Sequence, residues 1–217
     1  MSAQSTGRLT FLGSGTSQGV PVIACLCPTC QSHNPKDQRL RASVLVELPG
    51  LVLGIDAGPD FRAQMLREKV QHLDAILLTH EHKDHIAGLD DIRAFNYKRQ
   101  NHFPVYCTPK VEQALKREFY YAFEADPYPG VPRFAIHHMD KGSVQIGAHT
   151  FEAVEEHSKL LIDFQFSKNS QNHLILGFSC TEKLINTQNP NITVSVHLII
   201  EYFLTRIVCS DTCSIKP

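Results

Sequence analysis

The chain carries no excess of either charge: 21 Lys and Arg stand against 22 Asp and Glu, a formal net charge of −1. Without a basic surplus there is no global attraction to nucleic acid or to an anionic membrane surface. It also lacks any apolar run near the roughly 18 residues that cross a bilayer. Met1–Arg8 is polar and the apolar stretch after it is broken by glycines, so no secretory segment is read and a cytoplasmic location is expected. Internal repeats and low-complexity segments are absent. Hydrophobic residues at 42% and charged residues at 20% exclude bulk disorder and describe a globular protein. The 217 residues suit one to two domains and a sizeable core.

What is abundant is histidine and cysteine, 12 and 7 residues respectively. In a reducing compartment the cysteines are better read as thiols or metal ligands than as a disulfide framework. Together the two counts point to metal.

The apolar patterning reads as mixed α/β. Strands are expected at Arg8–Leu12, Ser43–Leu48 and Leu51–Asp56, the last two joined through the Pro49-Gly50 turn. Asp60–Val70 is helical in composition, with Phe61, Met65 and Leu66 as its apolar stripe. Ala75–Leu78 is a short continuous apolar run, the mark of a strand covered on both faces. Pro104–Cys107 repeats that pattern, and Thr108-Pro109 then opens a helix as cap and first-turn proline, with Val111, Leu115 and Phe119 on one face. Phe134–Met139 and Thr150–Val154 are further strands. Strands alternating with helices make a layered α/β domain.

Two clusters carry chemistry. Thr79-His80-Glu81-His82-Lys83-Asp84-His85 packs three imidazoles and a carboxylate into six positions directly behind the buried strand. These donors suit Zn²⁺, Fe or Mn²⁺. His80 and His82, two apart on an extended segment, project the same way toward one ion. Asp84 and His85 face a second ion as the chain bends into a helix beginning near Ile86. Two ions about 3.5–4 Å apart form the clamp of hydrolytic phosphoester chemistry. The other cluster, Cys25-Leu26-Cys27-Pro28-Thr29-Cys30, supplies three corners of a tetrahedral structural zinc. His33 is a candidate fourth corner.

His-x-His-x-Asp-His after a strand, with Asp56 in Gly54-Ile55-Asp56-Ala57-Gly58 upstream, resembles the metallo-β-lactamase superfamily of metal-dependent hydrolases. The cysteine cluster and Gly13-Ser14-Gly15-Thr16-Ser17-Gln18-Gly19-Val20-Pro21 are similar to one subgroup, the phosphoribosyl cyclic phosphate phosphodiesterases and their bacterial relatives. A protein of pyrroloquinoline quinone biosynthesis shares a comparable opening. The resemblance spans Leu9 to Phe166. It implies a four-layer αββα sandwich with two divalent ions, zinc or manganese, at one edge. It also implies that Asp56 supports the histidine loop from behind and that His157 is the third imidazole on the ion of His80 and His82. Asp211, in a Ser-Asp-Thr context, matches the bridging ligand but stands farther along the chain than the pattern expects. The implied chemistry is a phosphodiesterase in which a metal-activated hydroxide attacks phosphorus and Asp84 also orients the nucleophile. The implied substrate is a small-molecule phosphodiester, with no membrane and no nucleic acid as partner, and a homodimer is admitted.

Residues 1–166 are therefore read as the metallo-β-lactamase-like domain and 167–217 as an atypical C-terminal segment. That segment holds no Ala, one Gly and one Asp, while Thr193–Leu204 is strand-like. An insertion, a divergent end, an altered reading frame and a retained non-coding segment all remain open. The family's terminal Thr-His-x-Ser-His segment has no counterpart after Asp211. The alternative expectation is accordingly a catalytically impaired relative, or a small-molecule-binding accessory of a biosynthetic route.

Overall fold

The computed structural model describes the backbone of residues 7–139, 142–156, 159–165, 173–177 and 194–197, and the side chains of 7–139 and 143–151. The first sheet runs in chain order, β1 (Arg8–Gly13), β2 (Ser43–Leu48), β3 (Leu51–Ile55), β4 (Ala75–Leu77), β5 (Phe103–Cys107) and β6 (Phe134–His138). β1, β2 and β3 pair antiparallel, and β3 to β6 pair parallel. A second sheet has the order β11-β10-β9-β8-β7, from β7 (Gly142–Ile146), β8 (His149–Glu156), β9 (Lys159–Gln165), β10 (His173–Gly177) and β11 (Val194–His197). The β2–β3 hairpin closes with Leu48 opposite Leu51, and Gly50 takes the left-handed conformation at φ +74° that the turn requires.

Helices connect the parallel strands. α1 (Phe61–Arg67) follows β3, α2 (Lys83–Ile86) and α3 (Arg93–Arg99) follow β4, and α4 (Pro109–Glu118) follows β5. Each central strand sorts its side chains to two apolar layers. Along β2, β4 and the residue after β4, Val44, Val46 and Leu77 pack with Phe151 and Ile146 of the second sheet, whereas Leu45, Ile76 and Leu78 pack with Phe61, Ile86 and Leu115 on the helical side. β4 reads as an unbroken apolar run because neither face meets water, and β2 does so over Val44, Leu45 and Val46. Burying one such Leu or Ile side chain contributes about 1.5–3 kcal/mol.

The described residues thus form helices on sheet on sheet, three of the four layers expected, with no second helical layer among the described residues. Some local expectations change. Leu66 is 60% exposed, because it lies one residue past Met65 and turns about 100° off the Phe61–Met65 stripe. The helix expected from Ile86 begins earlier, at Lys83, so Asp84 and His85 are helical residues. α3, β7, β9 and β10 have no counterpart in the sequence reading. In 167–217 the described strands β10 and β11 extend the second sheet, β10 pairing with β9, and β11 falls inside the strand-like run at Thr193–Leu204.

β1 and β3 run the same way, as do β4, β5 and β6. The segments leaving these strands, at Gly13, Asp56, Thr79, Thr108 and Met139, therefore emerge along one edge. The histidine loop stands in the middle of that edge.

Candidate metal centre

Asp56 leaves β3 in the left-handed region at φ +59°, a conformation that a short polar side chain tolerates better than most. Its backbone stays tied to the sheet, with Asp56 N donating to Leu77 O at 2.9 Å. Ser43 Oγ lies 3.0 Å from both Ile55 O and Asp56 O. The Asp56 carboxylate is buried and fully engaged. Oδ1 accepts from Thr79 N at 2.9 Å, while Oδ2 accepts from Thr79 Oγ1 at 2.8 Å and from His85 Nδ1 at 2.7 Å.

The turn after Asp56 is locked against α2. Ala57 N donates to His85 O at 2.7 Å and Gly88 N donates to Ala57 O at 2.8 Å. The contact is so close that a Cβ on Gly58 would lie 2.0 Å from Asp84 O, and one on Gly88 would lie 2.0 Å from Gly58 O. Only glycine at both positions lets the two backbones meet.

The imidazoles converge over this base. The His80 ring centroid is 4.6 Å from that of His82 and 4.0 Å from that of His85. Thr79 Oγ1, donating to Asp56, sits 3.0 Å from His80 Nδ1 and is placed to accept its proton. That selects His80 Nε2 as the ligand nitrogen. Asp56 does the same for His85, whose Nε2 lies 3.2 Å from Asp84 Oδ2. An imidazole oriented through its far nitrogen is the usual support of a metal-ligating histidine. His82 stands just ahead of α2 in extended conformation, which keeps its side chain on the His80 side.

Electrostatics agree with a cation site. Burial would lower the His85 pKa, but the charge and hydrogen bond of Asp56, joined by Asp84, push it up to about 10. Burial would raise the Asp84 carboxyl, yet the hydrogen bond and charge of His85 outweigh it and hold the group below its ordinary value. In the metal-free chain His85 therefore keeps a proton that a divalent ion must displace. Three imidazoles and a carboxylate, two of the imidazoles pre-oriented, fit divalent ions. The loop brings His80, His82, Asp84 and His85 together; His157 and Asp211 lie outside the described residues.

The three thiols also gather. Sγ atoms of Cys25, Cys27 and Cys30 lie within 4.8 Å of one another, and His33 does not belong to that group. The Val22 N–H, 3.3 Å from the Cys30 sulfur, lowers its pKa, but burial and the neighbouring Cys25 and Cys27 thiols prevail and push it up to about 11. A zinc ion would reverse this by taking the thiolates.

Four other histidines serve locally. His72 pairs with Asp74, His138 with Glu112, and His149 with Pro49 O, while His137 stacks on Tyr106. The basic residues near α4 are engaged as well: Lys110 with Glu81, Lys116 with Glu112 and Arg117 with Glu118. Sequence reasoning did not assign roles to Thr79, Gly58 and Gly88. Adjacency to Asp56 and to the histidine run was the available signal.

The family model described as "Beta-lactamase superfamily domain" matches residues 53–185, more than half of the chain. Among curated proteins, an octanoyltransferase of Porphyromonas gingivalis is 44% identical over 126 residues, covering 58% of this chain and 25% of that protein. A coenzyme PQQ synthesis protein B of Methylobacterium radiotolerans is 35% identical over 100 residues, covering 40% of this chain and 33% of that protein. The chain thus spans only a quarter to a third of these relatives. Among solved structures, a diphosphatase from the PhnP family is 36% identical with a TM-score of 0.67, covering 80% of this chain and 66% of that one. By its match, its sheets and its oriented histidine loop, the chain belongs to the metallo-β-lactamase superfamily.

Proposed function

We propose that this protein is a metal-dependent hydrolase acting on a small phosphodiester or related phosphoanhydride. The observation that carries the reading is the Asp56–His85–Asp84 chain of contacts, 2.7 Å and 3.2 Å long, which presents a ligand nitrogen beside an ionised carboxylate. His80 and His82 would hold one divalent ion, zinc or manganese, with His157 in support. Asp84 and His85 would hold a second, with Asp211 as the candidate bridge. When bound, such ions lower the pKa of a water to about 7 and polarise a phosphoryl oxygen. Asp56 keeps His85 in the tautomer that ligates through Nε2. Asp84, ionised at neutral pH, orients the attacking water and accepts its proton. Cys25, Cys27 and Cys30 would hold a structural zinc away from the chemistry.

The likeness to a diphosphatase supports phosphorus as the electrophile. The transferase name belongs to a protein three-quarters of which lies outside the matched stretch. A second reading, an accessory that binds a small molecule without turnover, draws on the likeness to coenzyme PQQ synthesis protein B. The test is His82→Ala with bis-p-nitrophenyl phosphate as substrate and metal content measured alongside. The parent is expected to hydrolyse it in a metal-dependent way and the variant not at all. Unchanged turnover in the variant sinks the assignment, and a metal-loaded parent without turnover favours the accessory.

A further inference from the structure

We propose that α4 is the positioning element of the histidine loop, gripping it through two ion pairs of opposite polarity; this rests on the reading of that loop as a metal site. Glu81, between His80 and His82, pairs with Lys110 Nζ at 2.6 Å. Lys83, between His82 and Asp84, pairs with the Glu118 carboxylate. Lys110 lies in the first turn of α4 and Glu118 is its last residue, about 12 Å apart along the axis at 1.5 Å per residue. The two loop residues are at most about 7 Å apart. The grips therefore reach the loop from opposite ends of the helix and oppose its sliding in either direction.

α4 is a firm platform for this. Thr108 Oγ1 caps it by accepting from Val111 N at 3.3 Å, and Val111, Leu115 and Phe119 are buried in the helical-side core. The polarity matters as much as the placement. One pair puts the acid on the loop and the other puts it on the helix, so together they add no net charge beside the ions. They act on geometry.

That separates positioning from simple electrostatics. If Lys110 mattered only as a charge, its loss would tighten binding of a cation, and loss of the Glu81 charge would loosen it. A positioning role predicts that either loss loosens it, and that the second loss adds nothing. The experiment uses the full chain, with Lys110→Met, Glu81→Gln and the double variant. Co²⁺ affinity is read by chelator competition together with the Co²⁺ absorption spectrum, and melting of the metal-free proteins serves as the folding control. Each single variant is expected to bind about 1.5- to 5-fold more weakly, the scale of a largely exposed ion pair, with an altered spectrum and unchanged melting, and the double variant is expected to match the singles. Tighter binding in Lys110→Met, additive effects in the double variant, or parent affinity throughout overturns the proposal. A parent that takes up no Co²⁺ overturns the metal reading itself, a distinguishable failure.

Discussion

Replacing Asp56 by Asn alters one atom and tests the logic of the site. The Asn carbonyl can still accept from Thr79 N, now bonded to Oδ1 at 2.9 Å. The amide would occupy the position of Oδ2, where the carboxylate now accepts from Thr79 Oγ1 at 2.8 Å and His85 Nδ1 at 2.7 Å. An NH₂ group there can only donate, so His85 must accept through Nδ1 and carry its proton on Nε2, the nitrogen facing Asp84. The tautomer is then wrong for ligation. Changing the partner behind a ligating histidine costs about 10- to 100-fold in metal affinity or activity, about 1.4–2.8 kcal/mol at 1.4 kcal/mol per decade. The metal-free protein also loses a buried charge-assisted hydrogen bond, about 1.5–3 kcal/mol. Chelator competition for Zn²⁺ and urea unfolding of the metal-free chain measure the two quantities separately. Parent-like metal affinity in a folded Asp56→Asn protein refutes the claim that this carboxylate sets the ligand nitrogen of His85.

Other outcomes follow from the same structure. Gly88→Ala drives a methyl toward Gly58 O, 2.0 Å away in the present backbone; it should cost about 1–3 kcal/mol by overpacking and weaken metal binding by displacing α2, whereas urea unfolding at the parent midpoint would contradict the close approach. The Cys107 thiol is pushed from 9.0 up to about 12, chiefly by burial and further by the Glu112 charge. Below pH 9 both folded and unfolded chains keep this proton; above it only the unfolded chain releases it, so this share of stability is complete below pH 9 and is lost as pH rises toward 12. Cys107→Ala should flatten that alkaline decline in urea unfolding, and parallel declines in the two proteins would count against it.

Legibility in the sequence tracks how local each determinant is. Ala75–Leu78 and Pro104–Cys107 were readable as buried strands because an unbroken apolar run has few alternatives at that length. The α4 cap was readable because Thr108-Pro109 is a short-range signal. α2 begins three residues ahead of the start read at Ile86, and α3 has no counterpart in the sequence reading. α2 is a four-residue helix with three polar residues, too short to show a period, and α3 is polar enough to hide its own. Leu66 looked like core from composition alone, and only the phase of the helix turned it outward.

By itself, the sequence determined the donor groups of the candidate sites: three imidazoles and a carboxylate in one run and three thiols in another, at spacings that suit metal ions. It also determined much of the strand-and-helix alternation, because burial on both faces leaves its mark in the central strands β3 and β4. The tertiary structure decided which partner stands behind His85, and what in turn holds the Thr79 that stands behind His80. Asp56 meets residues 23 and 29 positions away, Thr79 and His85, because the parallel pairing of β3 and β4 brings both strand exits to one edge. The two glycines admit the contact, and α4 holds the loop from the other side. None of these approaches has a local signature, since each depends on where separate strands end in space.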